Sequence, residues 1–186
     1  MIRTIFFPHV AAAILATGIC LLVYSAVQQG YRTGANDPQI QIANDAALKL
    51  KQGKPVTAIM PADTVDMEQS LATFVQVYSS NNGLVASSGV IGNQAPSVPA
   101  GVLEKARQEG EYAVTWKPTA LARNASVIVY TGGRQGQFIL AGRSLQEVEK
   151  RISALVTMVF MCWLLCMCVI CAHGLLQAYL SKKTNA

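Results

Sequence analysis

Between Gln28 and Arg151 the chain has neither cysteine nor histidine. That absence excludes a disulfide framework, a zinc finger and Cys–His nucleophilic chemistry from the whole middle of the protein. A G-x-S-x-G elbow and a phosphate-binding glycine loop are also missing, and the carboxylates are scattered through loops and helix ends. No nucleophile and base can be placed together, so the chain reads as non-enzymatic, with no cofactor and no catalytic residue. Charge is scarce too, at 13% of residues, and Asp, Glu, Lys and Arg are absent from Thr4 to Val27 and from Ile152 to Leu180. Neither Pro nor Gly interrupts the stretch between Ser144 and His173.

What is present fills those gaps with apolar side chains. Both uncharged runs exceed the roughly 20 residues that a helix needs to cross a hydrocarbon core. A cleaved signal peptide has an apolar core of only about 7–15 residues after a basic leader; here the core is longer and the leader is Arg3 alone, so the first run reads as an uncleaved anchor. Three segments follow: a first transmembrane helix (1–30), a folded domain (31–143), and a long helix with the second span and a short tail (144–186). Arg3, Lys182 and Lys183 place both termini in the cytoplasm by the positive-inside rule, although Arg32, Lys150 and Arg151 flank the other side. The domain would then be extracytoplasmic.

The middle segment, Gln28 to Arg151, holds all ten acidic and twelve of the fifteen basic residues, so the net charge of +5 describes no basic face. Nucleic acid is not an expected partner. All five cysteines lie in the spans. At about 100° per residue Cys162 and Cys166 share one side of the second span while Cys168 and Cys171 point away, so one helix cannot close a tetrahedral metal site. They read as packing residues.

Within the domain, Asp37-Pro38 starts a helix with Asp37 as N-cap; Ile40, Ala43, Ala47 and Leu50 form its apolar side, and it ends near Gly53. Lys54 to Ser70 reads as loop, and its acids Asp63, Asp66 and Glu68 lack calcium-loop spacing. FVQVY and GLVASS form a hairpin around Asn81-Asn82-Gly83. A helix follows over Gly101 to Gly110, with Val102, Leu103 and Ala106 apolar, then strands over Glu111–Pro118, Ala125–Tyr130 and Gln137–Ala141. Ser144 and Glu147 make a capping box, which predicts a helix from Leu145. If it runs unbroken to Leu180 it is about 54 Å long at ~1.5 Å per residue. The expected fold is α+β: a five-stranded antiparallel sheet with flanking helices between two transmembrane helices.

The ordered run SLATFVQVYSSNNGLVASSG, PAGVLEKARQEGEYAVTWKP, ARNASVIVY and AGRSLQEVEKRI resembles the extracytoplasmic PAS-like or Cache-like sensor region of bacterial membrane receptors, especially sensor histidine kinases. The resemblance covers roughly Asn36 to Ile152 with the flanking spans. It implies a central five-stranded sheet, a cavity on one face of it, and a final strand feeding the membrane helix. Such receptors carry an output domain after the second span, but only Ser181 to Ala186 follow here. Output is therefore expected on a partner membrane protein, reached through the helices; a homodimer is a further possible partner.

For a small-molecule ligand the candidates are Tyr112, Trp116, Lys117, Arg123, Tyr130 and Arg143, since cations with aromatics can hold an anionic or aromatic molecule. The competing reading has Trp116 in the core, Tyr130 at its rim and Arg143 on carbonyls near Ser144. Ser144, Leu145 and Glu147 are the expected coupling residues between sheet and span. Asn124-Ala125-Ser126 matches a glycosylation acceptor, which in a bacterial protein is coincidence. His9 and His173, each near the cytoplasmic end of a span, could hydrogen-bond between helices or ligate a haem. Three functions are thus in view: a membrane sensory protein, a structural or accessory subunit without a small-molecule ligand, and, remotely, a membrane haem or redox protein.

Overall fold

The computed structural model describes residues 2–133 and 136–184. In chain order the elements are α1 (Ile2–Gly34), α2 (Asp37–Lys51), a 3-10 turn (Val56–Ala58), β1 (Val65–Asp66), β2 (Phe74–Tyr78), β3 (Leu84–Ser87), β4 (Gly89–Val90), α3 (Ala100–Glu109), β5 (Glu111–Trp116), β6 (Asn124–Tyr130), β7 (Phe138–Ser144) and α4 (Gln146–Thr184). The chain divides into an α+β unit, Arg32–Glu149, and a helical unit made of the residues up to Tyr31 and from Lys150 onward. Asn185 and Ala186, the end of the expected tail, lie outside the described residues.

In the α+β unit five strands pair antiparallel in the order β3-β2-β7-β6-β5. Alternation along β2, β6 and β7 sends side chains to two cores, and the three central strands are buried on both faces. Phe74, Tyr78, Ile128, Phe138 and Leu140 meet Leu103 and Ala106 of α3, together with Trp116. Val75, Val77, Val127, Val129, Ile139 and Ala141 meet Ala43, Ala46 and Ala47 of α2. The alanines let α2 lie close to the sheet. Arg107 of α3 fastens the hairpin turn: its Nη2 donates to the Ser80 carbonyl at 2.8 Å, and its guanidinium lies 4.9 Å from the centre of the Phe138 ring.

Several expectations shift by a residue or more. Asp37 is the first residue of α2 rather than its cap; Asn36 takes that place without a side-chain cap bond, and the Asp37 carboxylate sits in the first turn, where the helix dipole favours it. The stretch 54–70 is more than loop: it contains the 3-10 turn and β1, which pairs parallel with β4. The strand expected over Gln137–Ala141 continues to Ser144. Consequently α4 begins at Gln146, one residue later than predicted. The hairpin turn takes its positive φ at Asn82, within the predicted stretch.

A buried polar network crosses the α3-side core. Tyr78 donates its hydroxyl to Gln76 Oε1 at 2.8 Å and accepts the Val98 N–H at 3.1 Å, while Gln76 Nε2 reaches Ser87 Oγ and the Pro96 carbonyl. Burial pushes the Tyr78 phenol up to about 12, partly opposed by the Val98 N–H. Because the folded-state value lies above the unfolded one, near 10, this contribution is complete below pH 10 and is lost as pH rises toward 12, by about 2 kcal/mol at pH 12. Urea titrations followed by Trp116 fluorescence in a Trp163→Phe background should show that decline between pH 10 and 12. In Tyr78→Phe the protein should be less stable at pH 8 and flatter across the same window.

In the helical unit α1 and α4 run antiparallel: His9 meets His173, and Thr17 Oγ1 accepts the Trp163 indole N–H at 2.9 Å. Both helices are long and apolar enough to cross a membrane, with mean hydropathy of 2.3 and 2.6 over their most apolar windows, and those windows are not buried within the protein. This is compatible with a two-pass membrane protein and unlike the buried core helix of a soluble fold.

Candidate functional site

The six residues expected around a ligand are not gathered in one place. Tyr112 is half-buried on β5 under the Lys105 ammonium, 4.6 Å from its ring centre. Trp116, at the other end of that strand, is buried in the α3-side core. Lys117 is exposed just after it. Tyr130 ends β6, its ring 4.8 Å from that of Phe138 and its hydroxyl donated to the Gly133 carbonyl. Arg143 donates Nε–H to the Leu71 carbonyl at 2.8 Å, and Arg123 pairs with Glu149 at 2.8 Å. By strand alternation Tyr112, Trp116 and Tyr130 share one face of the sheet, with Arg143 on the other.

The three residues expected to couple sheet and span lie where β7 hands over to α4. Leu145 belongs to both elements: its N–H donates to the Arg123 carbonyl at 2.8 Å, extending the β6–β7 ladder, and its carbonyl accepts the Glu149 N–H at 2.9 Å, the first bond of the helix. That double use explains the late start of α4. Ser144 is buried, and its Oγ accepts the Gln146 N–H at 3.3 Å. Glu147 sits in the first turn of α4, where its charge complements the dipole. Two further ties were not foreseen. Gln146 Nε2 donates to the Glu68 carbonyl at 2.7 Å, and the Arg123–Glu149 ion pair straps the first helical turn to the residue before β6. An exposed pair of this kind contributes no more than about 1 kcal/mol, so the backbone bonds matter more for the joint.

Next to this joint is an unusual polar pair. Asn124 and Ser126 are 0% exposed, and among the described residues no group donates to or accepts from Asn124 Oδ1, Asn124 Nδ2 or Ser126 Oγ. Two residues apart on β6, they point to the same face, that of Ile128 and the α3-side core. Asn124 stands opposite Ser144 on one side and Trp116 on the other; Ser126 stands between Gly142 and Val114. Buried polar groups are nearly always paired, because each left alone costs about 1–3 kcal/mol. Gln39 on α2 is a third buried side chain of this kind. In contrast, the Tyr78–Gln76 network in the same core is satisfied. The signal for the pair lies in Asn124-Ala125-Ser126 itself, since spacing of two in a strand puts both side chains on one face.

Elsewhere in the α+β unit a cleft of about 600 Å³ is lined by Leu50, Lys51, Ser79, Ser80, Thr131, Gly132 and Gln137. Its hydroxyls serve their own turns: Ser79 Oγ accepts the Gly83 N–H and Thr131 Oγ1 the Gln137 N–H. In the helical unit the His9 and His173 rings are joined directly, nitrogen to nitrogen at 3.1 Å, whereas two axial ligands of one haem lie on opposite sides of the macrocycle. Cys20, Cys162 and Cys166 are free thiols, and among the described residues no three His, Cys, Asp or Glu side chains form a metal-binding group. A scan against protein-family models finds no match to the chain, and a search of curated proteins finds none significantly similar.

Proposed function

We propose that this is a non-enzymatic sensory or regulatory protein of the bacterial inner membrane, whose PAS-like domain binds a small polar ligand and signals through the membrane helices to a separate output protein. In this reading the chain crosses twice, both termini are cytoplasmic and the domain is extracytoplasmic. The observation that carries it is the Asn124–Ser126 pair, set in register with Ser144 and so one residue from the Leu145 joint. The five-stranded sheet and the passage of its last chain-order strand into α4 support the PAS-like assignment. A ligand that hydrogen-bonds these side chains favours one arrangement of β6 and β7, and only such differential affinity can shift an equilibrium. A subunit that merely docks on a larger complex has no use for orphaned polar groups in its core.

Transmission is tested by amide hydrogen exchange on the full chain in lipid nanodiscs. Asn124→Leu should change exchange at Leu145 and Glu149 several-fold. Replacing Ser144-Leu145 by Gly-Gly should abolish that dependence while leaving the β2 amides unaffected. If Asn124→Leu leaves the Leu145 and Glu149 amides as they are in the native joint, the coupling is wrong.

A further inference from the structure

We propose that His9 and His173 form a transition-metal site that clips α1 to α4. The inference stands on the helical unit alone and does not depend on the sensory reading. Two ring nitrogens, His9 Nε2 and His173 Nδ1, face each other at 3.1 Å, with ring centres 5.2 Å apart. An ion bound tetrahedrally at about 2.05 Å from each of two nitrogens separates them by about 3.3 Å and sets the ring centres about 5 Å apart. The pair thus already has the bite of a chelate, to within about 0.2 Å. Behind the pair, the side-chain amide nitrogen of Gln177, one turn on, lies 3.5 Å from His173 Nε2; on metal binding this amide turns its oxygen to the ring, where it accepts the Nε2 proton and leaves the Nδ1 lone pair facing His9. Gly174 keeps the approach open, since a Cβ there would stand 3.3 Å from the His9 ring.

Among the described residues no third His, Cys, Asp or Glu completes the group, so the remaining coordination positions belong to exchangeable ligands. Space for them exists: a cavity of about 440 Å³ adjoins the pair, walled by Pro8, Ala12, Val169 and Ile170. Imidazole donors suit Zn²⁺, Ni²⁺ and above all Cu²⁺, which binds nitrogen sites most tightly among the divalent first-row ions. The ion replaces the proton that otherwise joins the rings, and that proton passes through solvent to the outer nitrogen of the ring that held it. Because the site is apolar and both imidazoles are neutral, the divalent ion enters with two anions such as chloride or hydroxide, which fill the two remaining tetrahedral positions and neutralise its charge.

The test uses the full chain, purified in detergent without a polyhistidine tag and freed of metal, with Cu²⁺ or Zn²⁺ alone as the probe. Equilibrium dialysis should find one ion per chain, and the Cu²⁺ electron paramagnetic resonance spectrum should show splitting from two imidazole nitrogens. His9→Gln and His173→Gln should each weaken binding at least about tenfold and remove that splitting, whereas Cys168→Ser should change neither. The wild-type spectrum decides the matter even if a variant fails to fold. Sulfur ligation, substoichiometric uptake, or wild-type affinity in both histidine variants would mean an adventitious ion only and would overturn the proposal.

Discussion

Gly142→Ala is expected to destabilise the α+β unit by about 3 kcal/mol, as overpacking of a rigid core does. A Cβ at Gly142 runs into the tip of the Phe74 ring, and the ring has little room to retreat, because its base is packed so close to Gly89 that a Cβ there would lie 2.8 Å from it. Phe74 is 1% exposed and is thus held between Gly142 of β7, the neighbouring strand in its own sheet, and Gly89 of β4 in the two-stranded sheet. Shortening the ring should relieve the clash: Phe74→Leu combined with Gly142→Ala should be more stable than Gly142→Ala alone, a coupling of at least about 1 kcal/mol in a double-mutant cycle. Urea unfolding followed by Trp116 fluorescence in the Trp163→Phe background provides the measurement, and strictly additive effects would show that the ring does not meet the new Cβ.

The second large effect has the opposite sign. Ser126→Ala and Asn124→Leu should each stabilise the protein by about 1–3 kcal/mol once small molecules have been dialysed away, because each removes a buried polar group that has no protein partner. Most substitutions at fully buried positions do the reverse. A gain here would identify the pair as retained for a purpose other than stability, the trade familiar from binding sites. If Ser126→Ala is neutral or destabilising, internal water already satisfies the pair and the ligand reading loses its main support.

How far the fold could be read beforehand depends on the range of the interactions involved. The helices α2 and α3, the hairpin and the five strands of the sheet follow from local periodicity and turn residues, and Gly53 and Gly110 do adopt positive φ at the two helix ends. The parallel β1–β4 pair was hidden, because two-residue strands show no alternation and their pairing joins segments more than twenty residues apart. Gly142-Arg143-Ser144 suggested a strand end and a helix cap. Yet β7 continues through it, with Gly142 admitting a ring from β2 and Arg143 reaching a carbonyl near that strand. Register also decided the ties at the joint: nothing local links Arg123 to Glu149 or Gln146 to Glu68. The proposed site was legible only in part. Trp116 is among the residues the sequence offers for a ligand and lies opposite Asn124, but Asn124-Ala125-Ser126 reads in the sequence only as a chance modification motif. Their importance emerges only when neighbouring strands bury both and leave them unpaired. The histidines were matched by depth, but their contact at 3.1 Å required the antiparallel packing of α1 on α4.

Ligand recognition by the polar pair is tested most directly by native mass spectrometry of the full chain released from detergent, comparing the wild type with the Asn124→Leu/Ser126→Ala double variant, both purified from the same cells. The wild type should carry a small polar molecule at one per chain, and the double variant, folded and more stable, should carry none. A wild type that emerges bare, or a variant that retains the same molecule, would contradict the proposal that this domain recognises its ligand through the polar pair beside the helix joint.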